Sequence, residues 1–229
     1  MKILAVDTSA VCASVGITED GKILSESSIN TGLTHSRTLL PMIDSALKNA
    51  ELDIEDMDFF ACSVGPGSFT GIRIGVAAIK GLCDGLKKKC IPVSTLEALS
   101  YNLLGRSCTA VSVMDARCNQ VYCGIFRVKG EKVTRLTEDM AVKIDELEKL
   151  LPDYENVVFV GDGARLCHER LGYGIAPAGQ LYQRGSSVAF AAADGFSEEK
   201  AVDGAQLMPT YLRLPQAERE LKARNLSSK

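Results

Sequence analysis

The chain has no tryptophan and only two histidines, His35 and His168, far apart in its 229 residues. Neither sits in a His-x-x-x-His or His-x-x-Glu-His pattern, so the paired imidazoles that hold a catalytic zinc are missing. Each reads as a structural hydrogen-bonder, with His35 capping or packing at a helix start. No Cys-x-x-Cys occurs among the eight cysteines at 12, 62, 83, 90, 108, 118, 123 and 167. Most stand inside apolar runs, where a free thiol behaves as a small hydrophobe. A disulfide framework suits a small secreted chain and a zinc site needs tighter clustering, so these read as reduced structural thiols. No apolar run reaches membrane-spanning length. The opening run Met1–Val6 is short for a signal peptide and meets Asp7 at once, so the expected compartment is the cytoplasm with no membrane contact. An excess of positive charge is missing as well. Net charge is −3 and the pI about 5.5, which excludes gripping nucleic acid by overall field and leaves any such role indirect.

What is present is an apolar content of 46% with 24% charged residues, the profile of a globular protein with ample core. The most informative segment is Gly65-Pro66-Gly67-Ser68-Phe69-Thr70-Gly71-Ile72-Arg73-Ile74-Gly75. It follows an apolar run from Phe59 that reads as a buried strand and opens a run to Leu86 that reads as a helix. Gly65 and Gly67 permit a tight turn, and Ser68 or Thr70 can cap the helix. A strand, a glycine turn and a helix start can hold an anion. The same arrangement is an ordinary βα corner, and it lacks the Gly-Lys-Ser/Thr ending of a Walker A loop.

The chain also describes itself twice. A strand ends in Val6-Asp7-Thr8-Ser9; strands Cys12–Thr18 and Ile23–Ile29 follow around a Glu19–Lys22 turn. The second half repeats this with Val113-Met114-Asp115-Ala116-Arg117, a strand Gln120–Val128, a Lys129–Lys132 turn and a strand from Val133. A helical pattern comes next in each half, with Leu39, Leu40, Ile43 and Leu47 in one and Ile144, Leu147, Leu150 and Leu151 in the other. Pro41 should kink the first helix or mark a restart. Each helix leads to another strand, ending in Gly65 and in Gly161-Asp162-Gly163. The expected fold is α/β, two βββαβα lobes at 1–104 and 105–229. Its order resembles the duplicated actin-like (ribonuclease H-like) architecture of ATPases and sugar kinases. There two hairpin turns hold phosphates across a cleft and paired aspartates sit near the metal. Here Thr8-Ser9-Ala10 and Ala116-Arg117-Cys118 replace the glycines expected after Asp7 and Asp115, so the nucleotide cleft is degenerate. Its candidate residues are Asp7, Ser9, Gly65, Gly67, Ser68, Asp115 and Arg117, with Arg117 the anion-binding group because its guanidinium can grip phosphate bidentately.

The glycine segment, together with Ile3–Ser9, His35-Ser36, Leu39-Leu40-Pro41, Pro92–Leu96, Asp115-Ala116-Arg117 and Pro209–Arg213 in this order, resembles the TsaB (YeaZ) family of tRNA threonylcarbamoyladenosine biosynthesis. The resemblance implies a non-catalytic partner of TsaD, the metal-dependent transferase, acting with TsaE, reaching tRNA only through the complex and forming a homodimer alone. It implies no cofactor on this chain by itself, with ATP or ADP entering in the complex. The TsaD His-x-x-x-His pair falls on Thr95 and Leu99, which cannot ligate iron or zinc; Glu97 between them cannot hold a metal alone. The same comparison argues against metallopeptidase activity. Along the helix after the glycine loop, Gly71, Gly75, Ala78 and Leu82 share one stripe and Ile72 a neighbouring one. That small-residue seam packs either on the chain's own sheet or on another helix. The resemblance favours the second, giving a partner surface of Leu39, Ile43, Gly71, Ile72, Gly75, Ala78 and Leu82. A stand-alone actin-like ATPase or small-molecule kinase is the alternative.

Overall fold

β1 (Lys2–Asp7) is buried at every residue after Lys2 because it is the central strand of a sheet covered on both faces. The computed structural model describes residues 1–213. In the first sheet β2 (Ala13–Glu19) and β3 (Lys22–Ile29) run antiparallel beside β1 on one side. On the other side lie β4 (Phe59–Gly65) and β5 (Cys90–Ser94), both parallel, giving the order β3-β2-β1-β4-β5. Alternation along β1 divides the core in two. Leu4 and Val6 face α1 (His35–Ala50) and α2 (Phe69–Leu86), while Ile3 and Ala5 face the opposite layer.

The second sheet repeats the plan. β6 (Ser107–Asp115) is central, β7 (Gln120–Lys129) and β8 (Lys132–Arg135) are antiparallel, and β10 (Val157–Val160) and β11 (Gly174–Ile175) are parallel. The order β8-β7-β6-β10-β11 matches that of the first sheet. One difference is that the third strand is split. β8 pairs with Phe126–Lys129, and β9 (Met140–Lys143) pairs with Gln120–Cys123 at the other end of β7. α4 (Ile144–Leu150) and α5 (Ala164–Leu171) occupy the positions of α1 and α2.

The last helix of each half crosses over. α3 (Thr95–Ser100) follows β5, yet Leu96 and Leu99 are buried in the core of the second sheet. α6 (Gly185–Asp194) ends the second half, yet Val188, Ala189 and Ala192 pack with Ile3 and Ala5 of the first sheet. The division at 104 therefore describes the sheets and not the helices that cover them. Gly16 and Gly185 make the second crossing close. A Cβ on Gly16 would lie 2.3 Å from the Ser186 nitrogen, and one on Gly185 would lie 2.2 Å from the Gly16 nitrogen.

α1 runs unbroken through Pro41, contrary to the expected restart. Proline removes one backbone donor, and the carbonyl it releases belongs to Arg37; both residues are exposed, so water can satisfy that carbonyl. After α6 the chain returns along α2. Val202 pairs with Cys90, Gly204 sits against Cys83, Lys80 Nζ donates to the Ala205 carbonyl at 3.3 Å, and Tyr211 stacks on Phe69 with ring centroids 4.9 Å apart. The charged helix expected over residues 216–224 lies outside the described residues. No helix among the described residues is long and apolar enough to cross a membrane.

Candidate functional site

The two hairpin turns and the start of α2 converge on one cleft of about 700 Å³ between the lobes. Ser9, Gly67, Ser68, Asp115 and Arg117 line it, as do Asp162 and His35. Asp7 does not face it, contrary to expectation. At 1% exposed it lies beneath the floor, where Oδ1 accepts from the Ser9 amide at 2.8 Å and the Ser9 hydroxyl at 2.6 Å, and Oδ2 accepts from Ser63 Oγ at 2.6 Å. Burial pushes its carboxyl up, opposed by these hydrogen bonds. Asp115 is exposed, and its Oδ1 accepts from the Arg117 amide at 2.7 Å. Both aspartates therefore brace the amide two residues on in their own turn.

Gly65 also lies off the cleft. A Cβ there would approach the Thr210 carbonyl to 2.3 Å, and its φ is +126°. The other loop glycines serve internal packing too. A Cβ on Gly67 would lie 2.4 Å from the Ser9 carbonyl, and Ser68 N donates to that same oxygen at 2.6 Å. Ser68 Oγ caps α2 by accepting from Gly71 N at 3.3 Å. The loop is thus glycine-rich because it is pressed against Ser9 of the first hairpin and against Thr210 of the returning chain. An amide that an anion would need is already spent on Ser9.

The expected small-residue seam is corrected by the same contacts. A Cβ on Gly71 would lie 2.0 Å from the Thr8 carbonyl and one on Gly75 2.5 Å from Thr8 Oγ1, which donates to the Gly71 carbonyl at 2.7 Å. Gly71 and Gly75 pack on the end of β1, within their own lobe. Leu39, Ile43 and Ile72 are likewise buried in that lobe's core, and Ala78 and Leu82 are half-buried at its edge. At about 100° per residue, α2 has three faces. Ile72, Val76, Ile79 and Cys83 cover the sheet; Phe69, Arg73, Lys80 and Asp84 meet the returning chain. Thr70, Ala77, Gly81 and Gly85 are exposed, with Ile74 and Ala78 beside them, and a Cβ on Gly81 or Gly85 would meet nothing within 4 Å. This open stripe is one step around the helix from the expected one. On α1, Leu40 is 58% exposed.

Thr95 and Leu99 are buried at the crossing of α3, so the expected ligand positions are core positions. Glu97 is engaged elsewhere. Arg135 donates to Glu97 at 3.0 Å and to Asp139 at 2.5 Å, and Ser94 donates to Asp139. This clamp joins β5 and α3 to β8. A second clamp holds the other crossing, where Glu26 accepts from Arg184 Nε at 3.1 Å and from the Ser186 amide at 3.0 Å at the start of α6. Burial opposes the Glu26 charge, but the Arg184 and Ser186 hydrogen bonds outweigh it and hold the carboxyl below its ordinary value. Sequence reasoning missed both clamps.

Asp162 is the perturbed acid of the cleft. Burial first, and the Asp115 charge after it, push its carboxyl up to about 6, against backbone hydrogen bonds that favour the ionised form. Its Oδ1 has no hydrogen-bond partner among the described residues. In the second hairpin turn of the same lobe, Arg117, Cys118 and Asn119 all have positive φ, at 62°, 52° and 59°. His35 Nε2 donates to the Ala10 carbonyl at 2.7 Å and His168 Nδ1 to the Tyr173 carbonyl at 2.6 Å, which gives both histidines structural roles. Six of the eight thiols are buried; burial pushes those of Cys12, Cys62, Cys123 and Cys167 up and so disfavours the thiolate.

Two lobes of repeated strand order, joined by exchanged helices around one cleft, define the duplicated actin-like class. Component A of (R)-2-hydroxyglutaryl-CoA dehydratase from Acidaminococcus fermentans shares that fold, with a TM-score of 0.50 at 14% identity over 84% of this chain and 96% of that one. YeaZ from Pseudomonas aeruginosa superposes with a TM-score of 0.79 at 22% identity, over 92% of this chain and 99% of that one. In sequence, residues 23–219 match the family model of TsaD, tRNA N6-adenosine threonylcarbamoyltransferase. The tRNA threonylcarbamoyladenosine biosynthesis protein TsaB of Bacillus subtilis is 32% identical over 228 residues, 95% of this chain and 96% of that protein. The chain belongs to the TsaB (YeaZ) family.

Proposed function

We propose that this chain is a non-catalytic subunit of the machinery that transfers threonylcarbamoyl to N6 of the tRNA adenosine next to the anticodon. It pairs with TsaD, works with TsaE, and pairs with itself when alone. The observation that carries this reading is the open stripe of α2, Ala77, Ala78, Gly81 and Gly85, on a helix whose other two faces are covered. Small residues let a second helix backbone approach closely, and the exposed Leu40 supplies apolar area on α1. Thr95 and Leu99 do not fit a metal, so the transferase chemistry belongs to the partner. The chain binds no nucleotide by itself: Asp7, Asp115 and the Ser68 amide are committed to internal hydrogen bonds. ATP or ADP enters only in the complex, and tRNA is reached only through it.

Gly81→Arg tests the proposal, because the side chain projects into open space. It should melt like the parent, fail to co-purify with the cognate TsaD, and leave tRNA unmodified in a reconstituted assay. Normal melting with normal co-purification would remove the stripe from the interface. Turnover of ATP by the chain alone, lost on Asp115→Ala, would support a stand-alone ATPase instead.

A further inference from the structure

The chain's own segment 209–213 touches both lobes at the mouth of the cleft. On the first lobe the Thr210 amide donates to the Val64 carbonyl at 2.7 Å, at the end of β4. Tyr211 then stacks on Phe69 in the first turn of α2, with planes inclined by 30°. Arg73 locks the pair: its guanidinium carbon lies 3.7 Å from the centre of the Phe69 ring, and its Nε donates to the Tyr211 hydroxyl at 2.9 Å. Two residues on, Arg213 Nη1 donates to the Ala116 carbonyl at 3.2 Å, in the second hairpin turn of the other lobe. Thr210, Tyr211, Leu212 and Arg213 all line the cleft.

The geometry points to a latch: residues 209–213 form a strap that ties the α2 start to the second hairpin and so controls how far the cleft mouth opens. Its parts are suited to reversible release. Tyr211 is 39% exposed, the stacking and the arginine contact lie at the surface, and among the described residues one hydrogen bond makes the far attachment. Such contacts are individually weak and open locally without global unfolding. The second hairpin is otherwise held by its own Ala116–Gln120 and Gln120–Arg117 backbone bonds, by the Arg117 amide donating to Asp115, and by the Ile144 amide and Arg170 donating to Asn119, and its three residues with positive φ favour alternatives once the strap lets go. Release would also bare the Phe69–Arg73 face of α2, so opening of the cleft and the surface of α2 change together.

Amide hydrogen exchange on the full chain tests the latch. The Thr210 amide reports the near attachment, and the amides of Ala116 and Gln120 report the far one. Phe69→Ala alters only the first lobe. A latch requires roughly tenfold faster exchange at Thr210 and also at Ala116 and Gln120, with β1 and β6 unchanged. Arg213→Ala should give the same acceleration at Ala116 and Gln120. Faster exchange at Thr210 alone in Phe69→Ala would overturn the proposal, because the strap would then belong to one lobe. If Phe69→Ala melts without cooperativity, Tyr211→Ala removes the same stack from the exposed side and is read in the same way.

Discussion

Two glycines of one helix carry opposite signs. Gly75→Ala should destabilise the protein by about 2 kcal/mol, because its Cβ must displace Thr8 Oγ1 from a buried hydrogen bond. Gly81→Ala should stabilise by about 0.5–1 kcal/mol, since it gains helix propensity in open space. Urea denaturation of both variants checks the pair. The sequence offers no means of telling these glycines apart, because each is four or six residues from another on an apolar helix. Which stripe faces the sheet depends on where Thr8 ends β1. Asp162 makes a pH-dependent case. Its carboxyl is raised to about 6, so its charge costs stability above that pH and the cost fades as pH drops towards the unfolded value of 3.8. Asp162→Asn should therefore be more stable than the parent by about 2–3 kcal/mol at pH 7.5, with the difference gone near pH 4. Equal denaturation midpoints at pH 7.5 would contradict this.

Among the elements, strands and long helices were readable. Cys12–Thr18 became β2 at Ala13–Glu19, and Phe69–Leu86 is a helix because Ser68 caps it and Ile72, Val76, Ile79 and Cys83 recur on one apolar face. The split of the third strand into β8 and β9 was not readable, since each piece is four residues and no period can be established over so few. The repeat predicts the second turn at Ala116-Arg117-Cys118 by analogy with the first hairpin, and the backbone differs, with positive φ running from Arg117 to Asn119. Cys118 holds φ of 52° in an exposed position. Cys118→Gly should relieve this conformation and raise stability by about 0.5–1 kcal/mol, as an upward shift of the thermal midpoint. A downward shift would mean that the thiol makes a contact worth more than the strain.

For the whole molecule, the repeat announced the duplicated fold, but nothing in either half announced the exchange of α3 and α6. Each helix has the composition of a core element, and a sequence does not say whose core. The clamps at the crossings are built from residues distant in sequence, Glu26 with Arg184 and Glu97 with Arg135, so spacing could not reveal them. Glu26→Gln should cost about 2 kcal/mol at pH 7 by leaving Arg184 without its carboxylate. Because the Glu26 carboxyl is held below its ordinary value of 4.5, this stability is complete above that pH and is lost as pH falls through the lower folded value. The parent and Glu26→Gln should therefore converge in acid, measured as denaturation midpoints from pH 7 to pH 3.

The exchanged helices also bear on how the chain is made. All five strands of the first sheet have been synthesised by Ser94, but the face carrying Ile3 and Ala5 waits for residues 185–194. At about 5–20 residues per second, that apolar surface is bare for several seconds of every round of synthesis. Nascent chains stalled after residue 104 should accordingly bind chaperones, while those extended past α6 should release them.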